Sequence, residues 1–402
     1  MDELIKKIND SGYNLYFLVV DSNLDIDLFK TLKNFHLIYA YSNDNLAILR
    51  QEKAPYFCLE EQGVILEEKN SGRLLSHPMV IDYIKTDALL NNKKVAIIPF
   101  KPSAKIDFIC NKFGWLNVSN PAPLNRQLED KLKFVKLADD NNLPFIPSHI
   151  EKFNKKNFEK FKLILGPKLV IQTHFGWAGN STISADYYEE AAAKVPEGVI
   201  VKYSPFLEGY SLLNNCCLTK NGVIQSPPAL QYTGLKPFTE NPFTTVGRQW
   251  PSLAPTEINL QVKNITNNFS EVIRKYNYRG FFGLDFLVNS NRIYLMECNP
   301  RLTASFAFYT QIEFRNNITP LFLYHLAEFL DIDNAVDIQT ENQRFFNAGI
   351  VGSEITYRDN TGIIIRKYND FDIFTPTLNP ITIKEEVLKH FDFDNASQKT
   401  SG

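Results

Sequence analysis

Residues 283–301 carry the side chains whose types and spacing could act together in catalysis. They read Gly-Leu-Asp-Phe-Leu-Val-Asn-Ser-Asn-Arg-Ile-Tyr-Leu-Met-Glu-Cys-Asn-Pro-Arg, and two apolar segments around a polar turn predict a β-hairpin. Asp285 lies on the first strand, and Glu297, Asn299 and Arg301 follow at alternate positions on the second. Because strand side chains alternate between faces, these three should point to one side. Two carboxylates and an amide oxygen are ligands that Mg²⁺ favours when it also holds substrate phosphates.

The register of this hairpin decides whether the two carboxylates can share a metal ion. If Asp285 lies directly opposite Glu297, both face the same side, and residues 290–292 form a three-residue loop. A two-residue turn over 290–291 would shift the pairing by one residue and turn Glu297 to the other face, unless a β-bulge corrects it. We therefore predict the three-residue loop.

The acid, the hairpin and the Glu-x-Asn-Pro-Arg ending together resemble the metal-binding hairpin of the ATP-grasp superfamily. The resemblance implies that Asp285, Glu297 and Asn299 bind Mg²⁺, with Mn²⁺ as a possible substitute, and that the nucleotide is ATP. The alternative for either acid taken singly is a solvated residue at a strand end.

Two further segments resemble the phosphate-binding elements of that superfamily. The sequence Glu-Asp-Lys at 129–131 opens a helix, and the resemblance assigns Lys131 to the nucleotide phosphates; the alternative is an exposed helix lysine. Residues 169–183 read as a strand, a glycine loop and a strand, in which Gly176 and Gly179 let backbone N–H groups turn toward an anion. The resemblance implies that this loop closes over the ATP phosphates, and a plain hairpin turn is the alternative.

Gln172 ends the strand before this loop, where many ATP-grasp enzymes carry lysine. Glutamine can donate a hydrogen bond to phosphate but brings no charge. Lys202 shares strand parity with Ser204, so it can point into the pocket and supply that charge. Whether the glutamine marks a subfamily or lost activity is left open by the sequence, and His174 is expected to be an ordinary loop residue.

Residues 199–211 resemble the segment that joins the two ATP-grasp lobes around adenine. Matching Gly209 to the glycine of that segment places the hinge just before it. The resemblance then implies that adenine bonds to the Pro205 carbonyl and the Leu207 N–H, with Phe206 against its ring.

Four more residues are candidates for the ribose and the substrates. Ser211 stands where the resemblance leads us to expect a ribose-binding acid, and Glu208 is a candidate substitute. Arg248 and Arg301 are candidates to hold a substrate carboxylate or an acyl phosphate, since a guanidinium forks onto such oxygens. The alternative for Arg248 is a surface ion pair.

Composition narrows the class of protein. The chain has 402 residues, 44% of them hydrophobic, and a formal net charge of −2. Without a long basic run or an apolar stretch of membrane-spanning length, neither a nucleic-acid nor a membrane partner is expected. The five cysteines show no CxxC spacing, which indicates reduced, mostly buried thiols of a cytoplasmic protein.

The predicted fold class is α/β, with a two-lobed ATP-grasp core. Strands at 15–20, 36–41, 47–49 and 94–100 alternate with helices at 24–34 and 103–113, which predicts a parallel sheet. A helix is predicted over 124–141 and another over about 316–330. The predicted domains are an N-terminal α/β domain at 1–122, the ATP-grasp domain at 123–335 with a lid lobe at about 142–204, and a small β-rich C-terminal appendage at 336–402.

The resemblance implies an enzyme, an ATP-dependent carboxylate–amine ligase that forms an amide through an acyl phosphate and releases ADP and phosphate. Its partners would be small-molecule carboxylate and amine substrates, and a homodimer is a possible assembly. Three alternatives stay open: an ATP-grasp carboxylase, a phosphotransferase, and a nucleotide-binding regulator without turnover.

Overall fold

The structure is a computed structural model, which describes residues 1–20, 28–43, 45–176, 181–236, 238–333, 336–345, 350–358 and 364–369. The helices are α1 Asp2–Asn9, α2 Asn45–Gln51, α3 Ser71–Ser76, α4 Pro78–Leu90, α5 Ala104–Phe113, α6 Ala122–Glu129, α7 Lys131–Asp140, α8 Lys155–Leu165, α9 Tyr188–Ala192, α10 Thr256–Arg274, α11 Phe306–Arg315, α12 Leu321–Phe329 and α13 Ile338–Asn342. The strands are β1 Tyr13–Val19, β2 Phe35–Tyr39, β3 Tyr56–Cys58, β4 Lys94–Pro99, β5 Leu116–Asn117, β6 His149–Lys152, β7 Leu169–Gln172, β8 Thr182–Ala185, β9 Ile200–Pro205, β10 Tyr210–Thr219, β11 Gly222–Gln225, β12 Ala229–Thr233, β13 Thr245–Trp250, β14 Gly280–Asn289, β15 Arg292–Asn299, β16 Gly352–Arg358 and β17 Ile364–Asn369.

The N-terminal region contains the predicted parallel sheet, in the order β3-β2-β1-β4-β5. The predicted strand at 47–49 is wrong, because this segment belongs to α2. Leu46 and Leu49 lie one helical turn apart and are both buried, a spacing that suits a helix better than a strand. The predicted helix over 24–34 is also wrong for residues 28–34, which form turns; residues 21–27 lie outside the description.

Asp130 divides the predicted helix over 124–141 into α6 and α7. Its backbone is extended, with φ −67° and ψ 110°, and its carboxylate accepts hydrogen bonds from the N–H groups of Leu132 and Lys133. A side-chain cap of this kind satisfies N–H groups that a helix start leaves free. The cap fixes Lys131 as the first residue of α7.

A four-stranded antiparallel sheet in the order β6-β9-β7-β8 forms within the predicted lid lobe. Helices α8 and α9 pack on it through a core of aromatic side chains that includes Phe153, Phe158, Phe161 and Tyr203. The sheet joins the glycine loop to the predicted hinge, since β7 leads into the loop and β9 ends at the hinge.

An eight-stranded antiparallel sheet forms the larger lobe, in the order β15-β14-β10-β12-β13-β16-β17, with β11 paired to β10. Strands β16 and β17 come from the predicted C-terminal appendage, and they extend this sheet through β13. Residues 370–402 lie outside the description.

Helices α11 and α12 pack between the large sheet and the N-terminal sheet. The helix predicted over 316–330 corresponds to α12, which is shorter than predicted, and α11 is a separate helix that precedes it. The ring of Phe17 on β1 lies 5.7 Å from Phe306 on α11 and 6.4 Å from Phe322 on α12. A single hydrophobic core consequently runs from the N-terminal sheet into the larger lobe.

The β14–β15 hairpin pairs Asp285 with Glu297, as predicted, but by a different route. The turn has two residues, Ser290 and Asn291, both with positive φ. The pairing near the turn is therefore offset by one residue, and a register shift beside Asp285 restores the predicted pair. The predicted three-residue loop is wrong because the asparagine and the serine both accept the left-handed conformation that a tight two-residue turn needs.

The cysteines are free and buried, as the sequence predicts. No helix among the described residues is long and apolar enough to cross a membrane.

Candidate active site

The predicted site residues come together where four elements meet: β7 and β9 of the lid sheet, the start of α7, and the β14–β15 hairpin. Asp285, on the hairpin, accepts hydrogen bonds from Gln231 at 2.8 Å and from Asn299 at 2.9 Å. Burial raises the pKa of the Asp285 carboxyl, although Arg248 and these hydrogen bonds oppose the rise. The two amide partners keep this carboxylate hydrogen-bonded without placing a cation in direct contact with it.

Lys131 and Glu297 form an ion pair across the site. The lysine is the first residue of α7, and its side chain is only 10% exposed. Burial lowers the pKa of Lys131 to about 8, although Asp285 and Glu129 oppose the change. The predicted phosphate-binding lysine therefore touches a predicted metal ligand directly.

Lys202 and Gln172 lie directly opposite each other on β9 and β7. Lys202 is 5% exposed, and it has no hydrogen bond or carboxylate partner within the part of the chain that the structure describes. Burial, with a smaller contribution from the charge of Lys131, lowers its pKa to about 7. Gln172 donates to the Thr182 hydroxyl at 3.0 Å. A buried ammonium without a counter-ion is unfavourable, and a bound anion would offset its charge. Lys202 is therefore a candidate anion-binding residue.

Arg301 holds the end of β15 against the N-terminal domain. Its guanidinium donates to the Asn299 side-chain oxygen at 3.0 Å and to Glu129 at 3.4 Å, and it lies 5.1 Å from the Phe100 ring. Lys101 also pairs with Glu129, at 2.7 Å. Burial alone would raise the pKa of Glu129, but Arg301 and Lys101 together lower it. The arrangement fixes the orientation of Asn299, while the predicted contact of Arg301 with substrate stays a prediction.

Arg248 lies in a row of polar side chains that crosses the large sheet from Gln231 to Glu354, each directly opposite the next. It pairs with Glu354 at 2.9 Å, and the two side chains are 14% and 2% exposed. The alternative for Arg248, an ion pair, is therefore present, but this ion pair is mostly buried and does not lie at the surface. Its charge also acts on Asp285, so Arg248 stays a candidate for a substrate anion.

His174, expected to be an ordinary loop residue, is bound to the start of α7. Its Nδ1 lies 3.0 Å from both carboxylate oxygens of Asp130, and its carbonyl accepts the Lys131 N–H at 3.0 Å. A β-carbon at Gly176 would collide with the Ser181 side chain, so the loop stem needs glycine there. Gly179, the second predicted loop glycine, lies outside the described residues.

The predicted hinge leaves β9 at Pro205. The Phe206 N–H donates to the Lys168 carbonyl at 3.0 Å, and the Lys168 ammonium lies 4.5 Å from the Phe206 ring. A β-carbon at Gly209 would collide with the Val288 carbonyl, so the hairpin passes directly beside the hinge. Leu207 is half-buried next to this contact.

The two ribose candidates differ in position. Glu208 is exposed, and its backbone carbonyl accepts a hydrogen bond from Asn289 at 2.6 Å. Ser211 on β10 lies opposite both Leu287 and Gln231, beside the Asp285 face of the sheet. The assignment of a ribose contact to either residue stays a prediction.

The donor set on the hairpin fits Mg²⁺. Among the described residues, no group of three or more His, Cys, Asp or Glu side chains is placed to hold a metal ion. Asp285, Glu297 and Asn299 supply two carboxylates and one amide. Mg²⁺ is commonly held by one or two carboxylates together with substrate phosphates, so a site of this size suits a metal that arrives with a nucleotide.

Sequence comparison identifies the central part of the chain. Residues 128–305 match the family model described as the ATP-grasp domain, which confirms the predicted resemblance for this part of the chain. Every predicted metal and nucleotide residue lies within that range. No protein of curated function matches the chain in sequence.

Several solved structures share the fold. Biotin carboxylase from Campylobacter jejuni, in a beta-gamma-ATP complex, is similar with a TM-score of 0.61 and 14% identity over 87% of this chain and 76% of that one. N5-carboxyaminoimidazole synthetase from Staphylococcus aureus, complexed with ADP, has a TM-score of 0.56 and 12% identity over 80% and 78%. N5-carboxyaminoimidazole synthase from Aspergillus clavatus has a TM-score of 0.58 and 10% identity over 86% and 82%. These similarities confirm the predicted fold class.

Proposed function

We propose that this protein is an ATP-dependent carboxylate–amine ligase. The observation that carries the proposal is the meeting of two buried lysines, Lys131 and Lys202, with the paired carboxylates of Asp285 and Glu297 inside an ATP-grasp domain. The lysines suit a polyphosphate, and the carboxylates suit the cation that accompanies it.

In this proposal the ATP phosphates lie between the lid sheet and the hairpin. Lys131 and Lys202 bind phosphate oxygens, and Gln172 adds a neutral hydrogen bond. The family resemblance also assigns Gly176 and Gly179 to the phosphates. Asp285, Glu297 and Asn299 would hold Mg²⁺, which neutralises phosphate charge when bound. Adenine lies at the hinge formed by Pro205, Phe206 and Leu207.

The chemistry proceeds in two displacements. A substrate carboxylate oxygen attacks the γ-phosphorus, the bond to the β–γ bridging oxygen breaks, and ADP leaves with that electron pair. The amine nitrogen then attacks the acyl carbon, loses a proton, and expels phosphate. The side chains of the protein position the groups and offset charge, which is the main source of rate enhancement in phosphoryl transfer. Arg248 and Arg301 are the residues we assign to the substrate carboxylate and the acyl phosphate.

A carboxylase is the second candidate, because the similar structures named above include a biotin carboxylase and two enzymes named for carboxyaminoimidazole. Such an enzyme would activate bicarbonate in place of an organic carboxylate. A phosphotransferase would leave a phosphorylated product, and a regulator would bind nucleotide without releasing ADP.

The deciding experiment is an ADP-release screen with Mg-ATP. Amino acids, dipeptides, small carboxylates and bicarbonate would be offered, each with and without amine acceptors. We expect ADP release that requires both a carboxylate and an amine, with an amide among the products. Release with bicarbonate alone would favour the carboxylase, and the absence of ADP release for every combination would contradict the ligase.

A further inference from the structure

We propose that the Lys131–Glu297 ion pair couples metal binding to nucleotide binding, because each side chain holds the other until both ligands arrive. The inference rests on the proposed function, which assigns Lys131 to phosphate and Glu297 to the metal. The ion pair therefore joins one residue of the proposed phosphate site to one residue of the proposed metal site.

The pair is mutual and partly shielded from water. Lys131 is 10% exposed and Glu297 is 31% exposed, and they come from different elements, α7 and β15. Within the described residues neither side chain has a second hydrogen-bond or ion-pair partner. Glu297 is therefore the carboxylate that Lys131 contacts directly among the described residues, while Asp285 and Glu129 act on its charge without contact.

Binding of one ligand alone leaves a buried charge behind. A metal ion that takes Glu297 leaves Lys131 without its contacting carboxylate, close to Lys202, which has no carboxylate partner among the described residues. A nucleotide that takes Lys131 leaves Glu297 directly opposite the Asp285 carboxylate, with no cation between them. Removing one partner of a buried pair is strongly unfavourable, so each ligand alone should bind weakly.

Both ligands together leave no charge unpaired. The phosphates take Lys131 and Lys202, and the two carboxylates face the metal ion. Such coupling is reciprocal, since the factor by which metal strengthens nucleotide binding must equal the factor by which nucleotide strengthens metal binding.

Asp285 provides a matched control because its carboxylate carries the same charge in the same site but contacts only neutral groups, Gln231 and Asn299. Replacing it by asparagine removes one negative charge that also acts on Lys131, but it breaks no ion pair with that lysine. Both substitutions remove one negative charge from the same hairpin, so both relieve general repulsion between the site and a nucleotide.

The first test measures ADP dissociation constants by calorimetry in EDTA. We expect Glu297→Gln to bind metal-free ADP at least about tenfold more tightly than wild type, because Lys131 is released. Asp285→Asn should gain less than about threefold, the scale of one nearby charge that forms no ion pair with a lysine. Equal affinities for the two variants would overturn the coupling.

The reciprocal test uses Mn²⁺ alone, measured by electron paramagnetic resonance. Lys131→Gln should bind Mn²⁺ at least about tenfold more tightly than wild type without nucleotide, since Glu297 is released. Lys133→Gln is the control, because Lys133 is a largely exposed lysine of the same helix turn. No gain for Lys131→Gln over this control would overturn the proposal, and this arm decides alone if Glu297→Gln fails to fold. A wild-type protein that binds no ADP even with Mg²⁺ would instead overturn the proposed function.

Discussion

Gln172 and Lys202 lie directly opposite each other on neighbouring lid strands, with their side chains on the same face. The positive charge is therefore present one strand away from the position where the family resemblance leads us to expect it. Neighbouring strands lie about 5 Å apart, a distance that a lysine side chain can cover. Lys202 can consequently reach a phosphate bound over Gln172.

Exchanging these two residues should test this relationship. Lys202→Gln should weaken Mg-ADP binding by roughly tenfold to a hundredfold, the scale of one charge-assisted hydrogen bond. The double variant Gln172→Lys with Lys202→Gln should recover most of that loss, because the charge returns to the same face. Lys133→Gln is the control. A double variant no better than Lys202→Gln alone would show that the position of the charge, and not its presence, is essential.

Nucleotide affinity should fall as the pH rises above neutrality. Lys202 has a pKa of about 7 in the free protein, and a bound polyphosphate favours its ammonium form. Above that pH binding must take up a proton, so affinity should weaken by up to about tenfold per pH unit. Below pH 7 the lysine is already charged and contributes fully. Calorimetry of ADP binding from pH 6 to 9 measures this slope, which Lys202→Gln should reduce; an unchanged slope in the variant would assign the proton to another group.

Lys202 should also destabilise the nucleotide-free fold at low pH. Its pKa falls from 10.5 to about 7 on folding, so the folded state binds fewer protons between these values and stability rises with pH across that window. At pH 6 both states are charged and the full penalty applies, about 5 kcal/mol for a fall of roughly 3.5 pKa units at 1.36 kcal/mol per unit; at pH 9 roughly two-fifths of it remains. Lys202→Met should therefore raise the melting temperature more at pH 6 than at pH 9. Lys133→Met serves as the control, and an equal gain at both values would contradict burial of the charge.

Glu297→Gln should lower turnover by about 100-fold or more once a substrate pair is known. The scale is that of losing one group that stabilises transition-state charge. Glu271→Gln, at an exposed glutamate of α10, should leave turnover unchanged. Steady-state ADP release measures both, and full turnover in Glu297→Gln would remove this residue from the metal site.

Phe206→Ala should reduce the stabilisation that Mg-ATP gives. A ligand that binds only the folded state raises the melting temperature by mass action, and stacking of a base on an aromatic ring contributes about 1–3 kcal/mol. The variant should therefore show a smaller shift at millimolar Mg-ATP than wild type. Phe108→Ala, at an exposed ring of the N-terminal domain, is the control. Equal shifts in all three proteins would place adenine elsewhere.

Local patterns in the sequence were sufficient for most of the fold and for the candidate metal ligands. Alternation predicted the strands that carry Asp285 and Glu297, and the pairing of these residues is confirmed. The turn was wrong because a bulge compensates for a one-residue offset, and nothing local distinguishes a three-residue loop from a shorter turn with a bulge. The predicted strand at 47–49 is wrong because a three-residue apolar run fits the period of a helix as well as that of a strand.

Long-range partners could not be predicted. Gln231 lies 54 residues before Asp285, which it contacts, and Glu354 lies 106 residues after Arg248. No motif marks either Gln231 or Glu354. The contact of His174 with Asp130 has a partial signal in the sequence, since both residues lie in segments that resemble phosphate-binding elements. The sequence alone does not show that the fold brings the stem of the glycine loop against the start of α7.

The hydrophobic core that α11 and α12 share with the N-terminal sheet limits how this protein can be divided. Cutting the chain near residue 122 would expose the faces of Phe306 and Phe322 that pack on Phe17. It would also remove Phe100 and Lys101 from Arg301 and Glu129. An ATP-grasp fragment expressed alone would present this apolar surface to solvent and aggregate. The N-terminal domain is thus not an exchangeable module. Replacing it with the corresponding domain of another protein would require this core to be redesigned.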